Sequence, residues 1–411
     1  MTTHFDALET RDPAEREAAQ FECLRHGLAD WLGRAPGLAA QLEGVDTKAL
    51  TDRAALATLP VLRKSALAEA QKPDAPFGGF TTHAPSAFRH VFMSPGPIFE
   101  PGGGAHDWWR FGRALHAAGI RKGDIVHNCF AYHLTPAGMM FESGARAVGA
   151  AVFPGGVGNT EAQVAAAAHL RPSAWTGTPD FLKVILDKAA ETGADLSSIR
   201  RALVSGGALF PSLRQEYADR GIACLQCYAT ADLGLIAYET EAMEGMLVDE
   251  GVILEIVRPG TGDPVPEGEV GEVVVTSLNP DYPLIRFATG DMSAALPGVS
   301  PCGRTAMRIK GWMGRADQTT KVKGMFVRPE QIAAILARHK EASKARLTVT
   351  REGEQDVFEI AFECAGADQG LASALGETAQ SVLKLKGAVR VVAPGALPND
   401  GKVIDDQRSY D

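Results

Sequence analysis

Residues 1–75 set apolar side chains at helical spacing among acidic and basic ones, as in Asp12-Pro-Ala-Glu-Arg-Glu-Ala-Ala-Gln-Phe-Glu-Cys-Leu-Arg25, where Pro13 suits a first helical position. Asp46, Thr51 and the stretch 63–70 suggest further helix starts, and Leu59-Pro60 a break. This reads as a helical N-terminal arm with no chemistry in it. From Trp108 the pattern alternates. Strands are predicted over 124–129, 150–153, near Ala174 and over 201–205, with helices through Ala118, over 137–148, and from Glu161, Asp180 and Pro211. Such βα repetition predicts a largely parallel sheet with helices on both faces. Between about 247 and 300, short β runs at 252–257 and 271–276 flank the turn-rich stretch 258–268, which predicts a small β subdomain. Beyond a basic, glycine-punctuated stretch at 311–329 come a helix over 330–339, strands over 346–349 and 357–362, a helix over 372–385 and a strand over 389–392. The expected fold class is therefore α/β: a large domain at 76–316, preceded by the arm, and a small α+β domain at 317–411, with the boundary near Asp317-Gln318.

A chain of 411 residues at 45% hydrophobic and 22% charged has room for a large core, which excludes a disordered or fibrous protein. The net charge of −9 argues against nucleic acid or an anionic membrane as the main partner and leaves a small molecule. No apolar run reaches the length of a membrane span. The six cysteines follow no framework pattern, and Met1-Thr-Thr-His-Phe-Asp6 has no basic stretch leading into an apolar one, so the expected compartment is the reducing cytoplasm. Cys224 and Cys227 form a C-x-x-C, but no second pair follows at zinc-ribbon spacing; buried structural cysteine is expected, and no structural zinc. A homodimer is the base-rate expectation for assembly.

Candidate chemistry gathers at Cys224-Leu-Gln-Cys-Tyr-Ala-Thr-Ala-Asp-Leu-Gly-Leu-Ile-Ala-Tyr238. An apolar run leads into Tyr228, Thr230 and Asp232 and then Gly234, the layout of an active-site turn at the end of a buried strand. An aromatic, a hydroxyl and a carboxylate there suit a base, a phosphate and a metal ion; a polar turn after a core strand is the alternative. Gly155-Gly-Val-Gly-Asn-Thr160 and Ser205-Gly-Gly-Ala208 both fall at strand ends, where ligands approach backbone, though either also reads as a simple turn. The Gly/Pro-rich loop Phe92-Met-Ser-Pro-Gly-Pro-Ile-Phe-Glu-Pro-Gly-Gly-Gly104 reads either as a phosphate cradle short of donors or as a rigid surface connection. Gly290 would let the chain turn and expose Asp291.

Read together, these stretches resemble the phenylacetate-CoA ligase family of the adenylate-forming acyl-CoA synthetases. The similarity runs in order from Val126 to Lys402. It takes in Gly144-Ala-Arg-Ala-Val-Gly149, Pro154 to Thr160, Gly177-Thr-Pro-Asp180, the Tyr228 turn, Gly268-Glu-Val-Gly-Glu-Val-Val-Val-Thr276, Leu284-Ile-Arg-Phe-Ala-Thr-Gly-Asp291, Pro301-Cys-Gly-Arg304, Gly314-Arg-Ala-Asp317, Lys323-Gly-Met-Phe-Val-Arg-Pro329 and Gly401-Lys402. The resemblance implies ATP-dependent activation of a carboxylic acid through an acyl-adenylate, then thioester formation with CoA, with Mg²⁺ as the metal and a small mobile C-terminal domain. By position, Ser205, Gly206, Gly207 and Ala208 would line the adenine site, Tyr228 would stack on the base, and Asp291 with Arg315 would hold the ribose. Asp232 stands where the family binds magnesium through a Glu, and Lys402, with Thr230 and Asp232, makes the implied catalytic set. Gln318 would mark the hinge, and the loop around Gly324 would face the site in the second step. Tyr132 aligns with an aromatic of the acyl pocket and Phe141 lies near it, a wall suited to an aryl or arylacetic acid. The chain departs from the family at 94–104, which has prolines, Glu100 and no lysine, and at Ala231 and Ala288, where a hydroxyl and an Arg are usual. Two other functions share the scaffold: adenylation with an amine or carrier-protein acceptor, and silent binding of a nucleotide or acyl ligand.

Overall fold

Asp12 caps the first helix with its carboxylate, which accepts from the amides of Ala14 and Glu15, and Pro13 takes the first helical position. Helix α1 (Pro13–Trp31) then buries Phe21, Leu24, Leu28 and Trp31 along one face. Helices α2 (Pro36–Gln41) and α3 (Arg53–Ala57), the short strand β1 (Leu62–Arg63) and helix α4 (Lys64–Ala70) follow. The arm is fastened along its length. Arg16 pairs with Glu250 at 2.7 Å, Gln20 donates to the carbonyls of Glu250 and Val252, and β1 lies parallel to Phe287 and Ala288.

This computed structural model describes residues 4–207, 209–316, 318, 320–353, 355–364, 366, 369–398 and 403–408. It divides into two units, Met1–Trp312 and Met313–Asp411. Within the first, the stretch expected as a Gly/Pro loop forms a hairpin instead: β2 (His90–Ser94) and β3 (Ile98–Gly102) pair antiparallel from His90↔Gly102 to Ser94↔Ile98. The alternation of exposed Val91 and buried Phe92 prevails because Pro95 and Pro97 sit in the turn and a two-stranded ribbon tolerates Pro101 at an edge.

The βα alternation follows as the hydrophobic pattern predicts. Helix α5 (Gly112–Ala117) precedes β4 (Ile125–Asn128), α6 (Ala137–Ala147), β5 (Ala151–Pro154), α7 (Thr160–Leu170), β6 (Ala174–Gly177), α8 (Pro179–Thr192), β7 (Arg201–Val204), α9 (Pro211–Asp219) and β8 (Ala223–Thr230). These strands run parallel in the order β5-β4-β6-β7-β8. At β8 the direction reverses. Strands β9 (Gly234–Tyr238), β10 (Met246–Val248), β11 (Val252–Val257), β12 (Val270–Ser277), β13 (Phe287–Leu296) and β14 (Arg308–Ile309) extend the same sheet by antiparallel pairs in the order β8-β9-β10-β14-β13-β12-β11. The β-rich region expected around 247–300 is thus joined through β9 to the parallel half.

The second unit holds a hairpin of β15 (Thr320–Val322) and β16 (Met325–Val327), then α10 (Pro329–Leu336), β17 (Ala342–Glu352), β18 (Gln355–Cys364), α11 (Gln369–Leu383), β19 (Ala388–Val392) and β20 (Ile404–Asp406). Its four-stranded sheet has the order β19-β18-β17-β20 around Leu347, Phe362 and Leu375. Among the described residues no helix is long and apolar enough to cross a membrane.

Two buried polar networks fix the parts of the first unit that matter for a site. Gln163 of α7 accepts from His127 Nε2 of β4 at 2.8 Å and from the Cys129 thiol, and donates to the carbonyls of Gly156 and Gly158, so one amide pins the glycine turn to the sheet. Gly155 must be glycine here: a Cβ would stand 2.4 Å from Gln163 Oε1. In the second network, Arg286 pairs with Glu255 through Nε at 3.0 Å and Nη2 at 3.1 Å and donates to the carbonyls of Ala57, Leu59 and Gly262. Burial raises Glu255 and the guanidinium opposes it.

Two outcomes are expected. Replacing Arg286 by Met strands the Glu255 charge and three carbonyls, and should lower the unfolding free energy by about 3–5 kcal/mol in denaturant melts; a loss under about 1 kcal/mol, in the range of exposed ion pairs, would contradict that role. Burial pushes His127 from 6.5 down to about 4, so the folded state favours the neutral ring. Stability from this group is present above about 6.5 and is lost as pH falls toward about 4, by up to about 3 kcal/mol. Melting temperature should therefore fall across that window, and less steeply in a His127→Gln variant.

Candidate active site

Strand β8 ends at Thr230, and three residues carry the chain into β9. Thr230 Oγ1 accepts from the Leu233 amide at 3.1 Å, and Arg110, held by Asp249 at 2.7 Å, donates to the carbonyls of Leu233 and Leu235. Gly234 has φ 73°, and a Cβ there would lie 2.9 Å from the Trp109 carbonyl, so the turn closes only around glycine. The result is a rigid turn that presents Tyr228, Thr230 and Asp232 at the carboxyl end of β8.

Several of the residues singled out in the sequence meet here. Tyr228 donates its hydroxyl to Asp291 Oδ2 at 2.7 Å, although β13 lies across the sheet order from β8. The other oxygen, Asp291 Oδ1, accepts from Trp312 Nε1 at 3.0 Å, and the Asp291 amide donates to Thr289 Oγ1. Ser205, at the end of β7, donates to the Cys227 carbonyl at 2.8 Å and ties the Ser205-Gly206-Gly207 turn to β8. At the end of β4, Asn128 Nδ2 donates to Tyr132 Oη at 2.7 Å and to the Gly138 carbonyl. Burial, and then Glu142, hold that phenol above its ordinary range. Phe141 lies inside a ring stack, 4.6 Å from Phe111 and 4.2 Å from Phe130; it is Phe130 that comes within 4.0 Å of a Cβ built on Gly206. Phe141 thus backs the wall and Phe130, which the sequence did not single out, carries it toward the glycine turn.

Sequence reasoning also missed what surrounds Asp232. Its side chain is fully buried, and Oδ2 pairs at 2.8 Å with Nζ of Lys64, from the arm read as having no chemistry. No local signal marks a lone lysine 168 positions from its partner. Beside them Glu100 is wholly buried on β3, accepting from the Ser94 hydroxyl through Oε1. Burial first, and then the Asp232 charge, push its carboxyl up to about 8 against the pull of Ser94 and Lys64. Among the described residues Asp232 Oδ1 and Glu100 Oε2 have no hydrogen-bond partner. Magnesium is commonly held by one or two carboxylates plus substrate phosphates, so an orphaned, buried Asp232 oxygen fits that ion.

The Cys224 and Cys227 thiols are pushed up to about 12 by burial. Among the described residues no three or more of His, Cys, Asp and Glu gather as a metal cluster. In the second unit, Gln318 has a left-handed backbone, φ 58°, and its side-chain oxygen accepts from the amides of Val403 and Ile404 at 2.7 and 3.3 Å. Gly324 lies at the turn between β15 and β16, and Arg315 is half-buried. Ala208, Asp317 and Lys402 lie outside the described residues.

A model of the AMP-binding enzymes matches residues 131–279, from Ala131 beside the aromatic wall through the β8 turn. The phenylacetate-coenzyme A ligase of Thermus thermophilus is 30% identical over 374 residues, covering 87% of this chain and 83% of that protein. The enzyme of the same description from Aromatoleum evansii is 27% identical over 87% of this chain and 84% of its own. Among solved structures, a 2-hydroxyisobutyryl-CoA ligase in complex with 2-HIB-AMP and CoA superposes with a TM-score of 0.81 at 26% identity, covering 98% of this chain and 92% of that one. With that identity over 87% of its length, the chain belongs to the phenylacetate-CoA ligase family.

Proposed function

We propose that the protein joins an aryl or arylacetic acid to CoA at the expense of ATP. The acid's carboxylate attacks the α-phosphorus and pyrophosphate leaves; the CoA thiol then attacks the acyl carbonyl and AMP leaves, its proton passing to solvent. Such displacements depend on positioning and charge neutralisation more than on covalent help. The observation that carries this reading is the Tyr228–Asp291 hydrogen bond beside the Ser205 turn, an aromatic ring and a carboxylate joined near the end of β8, which supports a site for a base and a ribose. In this reading Tyr228 stacks on adenine, Ser205, Gly206, Gly207 and Ala208 border it, and Asp291 and Arg315 take the ribose hydroxyls.

Lys402 neutralises charge between the acid and the α-phosphate, and Lys64 stands ready for the phosphate oxygens from the opposite end of the sequence. Thr230 closes the turn that carries Asp232, which would hold Mg²⁺, and that ion would draw charge from the phosphates and the leaving pyrophosphate. Phe130 and Tyr132 form the wall for the acyl ring. We take Gln318 as the hinge between the large domain, with its arm at 1–75 and body at 76–316, and the small one at 317–411. In a hinge a few boundary residues absorb the change of backbone angle, and the swing would bring the Gly324 turn to the thiol step.

Pyrophosphate and AMP release over a panel of aryl, arylacetic and short aliphatic acids, with and without CoA, tests the reading. CoA-dependent AMP release on an aryl or arylacetic acid is expected. Acid-dependent pyrophosphate without a response to CoA would move the assignment to another acceptor, and release from aliphatic acids alone would refute the substrate class. Lys402→Ala should nearly abolish adenylation and spare thioester formation from synthetic acyl-adenylate; equal loss of both would sink its role. Tyr228→Phe removes one hydrogen bond from the ribose carboxylate and should raise the KM for ATP by up to about tenfold, leaving the KM for CoA in place.

A further inference from the structure

Glu100 is a carboxylate where a phosphate-binding loop would be expected to be neutral or basic, and its surroundings suggest what it does there. Four segments bring groups whose charges act on one another: β3 brings Glu100, the turn after β8 brings Asp232, the start of α4 brings Lys64, and the segment before β13 brings Tyr282. Tyr282 is 2% exposed, and the charges of both Asp232 and Glu100 act on it. Among the described residues Glu100 Oε2, Asp232 Oδ1 and the Tyr282 hydroxyl all lack a hydrogen-bond partner. A buried polar atom left without a partner is costly, more so when charged, and three such atoms on groups that act on one another call for a ligand.

We propose that Glu100 and Tyr282 join Asp232 as the protein side of a divalent-cation site, so that this chain grips magnesium or manganese with its own oxygens before nucleotide arrives. The proposal rests on the adenylate-forming reading of the site. Three oxygen donors, two of them carboxylates, select a hard cation over zinc or copper. Lys64 pairs with Asp232 at 2.8 Å through Oδ2, and among the described residues Oδ1 keeps no hydrogen-bond partner. The Lys64 side chain is 34% exposed while that of Asp232 is fully buried. The carboxylate that looks misplaced for a triphosphate is thereby a metal ligand. The cation it holds supplies the positive charge that no lysine at 94–104 provides.

The test is a Mn²⁺ titration of the full chain without nucleotide, followed by loss of the free-ion signal in electron paramagnetic resonance. One tight Mn²⁺ per chain is expected, competed by Mg²⁺, with binding weakened by about tenfold or more in Glu100→Gln and in Asp232→Asn. Tyr282→Phe, which removes only a hydroxyl, should weaken it less and covers the case in which an acidic-site variant fails to fold. Wild-type protein that binds no Mn²⁺ without nucleotide, the result if a water molecule bridges the three oxygens, overturns the proposal. So does undiminished binding in Glu100→Gln. Because no acid, ATP or CoA is present, Glu100-dependent metal binding in a protein that releases no pyrophosphate would keep the site and reject the ligase reading, and the converse result would do the reverse.

Discussion

Strand β8 is hydrogen-bonded parallel to β7 on one edge and antiparallel to β9 on the other, and the site depends on that change of direction. Parallel strands need long crossovers and deliver their carboxyl ends to one side of a sheet; antiparallel ones turn back at once. Where the two regimes meet, the chain must reverse within three residues at the very end where ligands bind. Thr230, Arg110 and Gly234 meet that demand by closing the turn with side-chain and backbone bonds and by leaving out a Cβ. Tyr228 and Asp232 then project from a frame that has no freedom to adjust, and the Asp291 carboxylate is drawn in by hydrogen bonds from Tyr228 and Trp312.

Several buried acids are held by arginines. Glu250 has Arg11 and Arg16, Glu239 has Arg214, Glu255 has Arg286, and Asp249 has Arg110 and Arg113. Each pair joins segments distant in sequence, and none leaves a charge without its counter-charge. Asp232 and Glu100 differ: Lys64 pairs with Asp232, and among the described residues each acid keeps an oxygen without a hydrogen-bond partner. Buried carboxylates of that kind are candidates for a role other than cohesion.

Legibility in the sequence followed the range of the interactions involved. The βα alternation and the β8 turn could be read because apolar runs, glycines and a cluster of polar residues within five positions are local signals. The β2–β3 hairpin was hidden by its prolines, whose count outweighed an alternation visible only over five-residue strands. Lys64, Gln163, Phe130 and Trp312 carried no signal at all. Each acts through a partner placed by the sheet, and an isolated lysine, glutamine or aromatic is by far most often an ordinary surface or core residue. Phe141 was found in the right neighbourhood but one layer back, since helical spacing tells which face is buried and not which ring is outermost.

The arm through Ala70 carries a consequence for protein engineering. Its helices supply the Ala57 and Leu59 carbonyls to Arg286, the Arg16 guanidinium to Glu250 and the Lys64 ammonium to Asp232. A hybrid that took this stretch from a relative would exchange one half of each of these ion pairs and hydrogen bonds together with the scaffold, so recombination breakpoints that look safe by secondary structure would separate paired charges. Shuffling within this family should treat the first seventy residues and the β8 turn as a single inherited block.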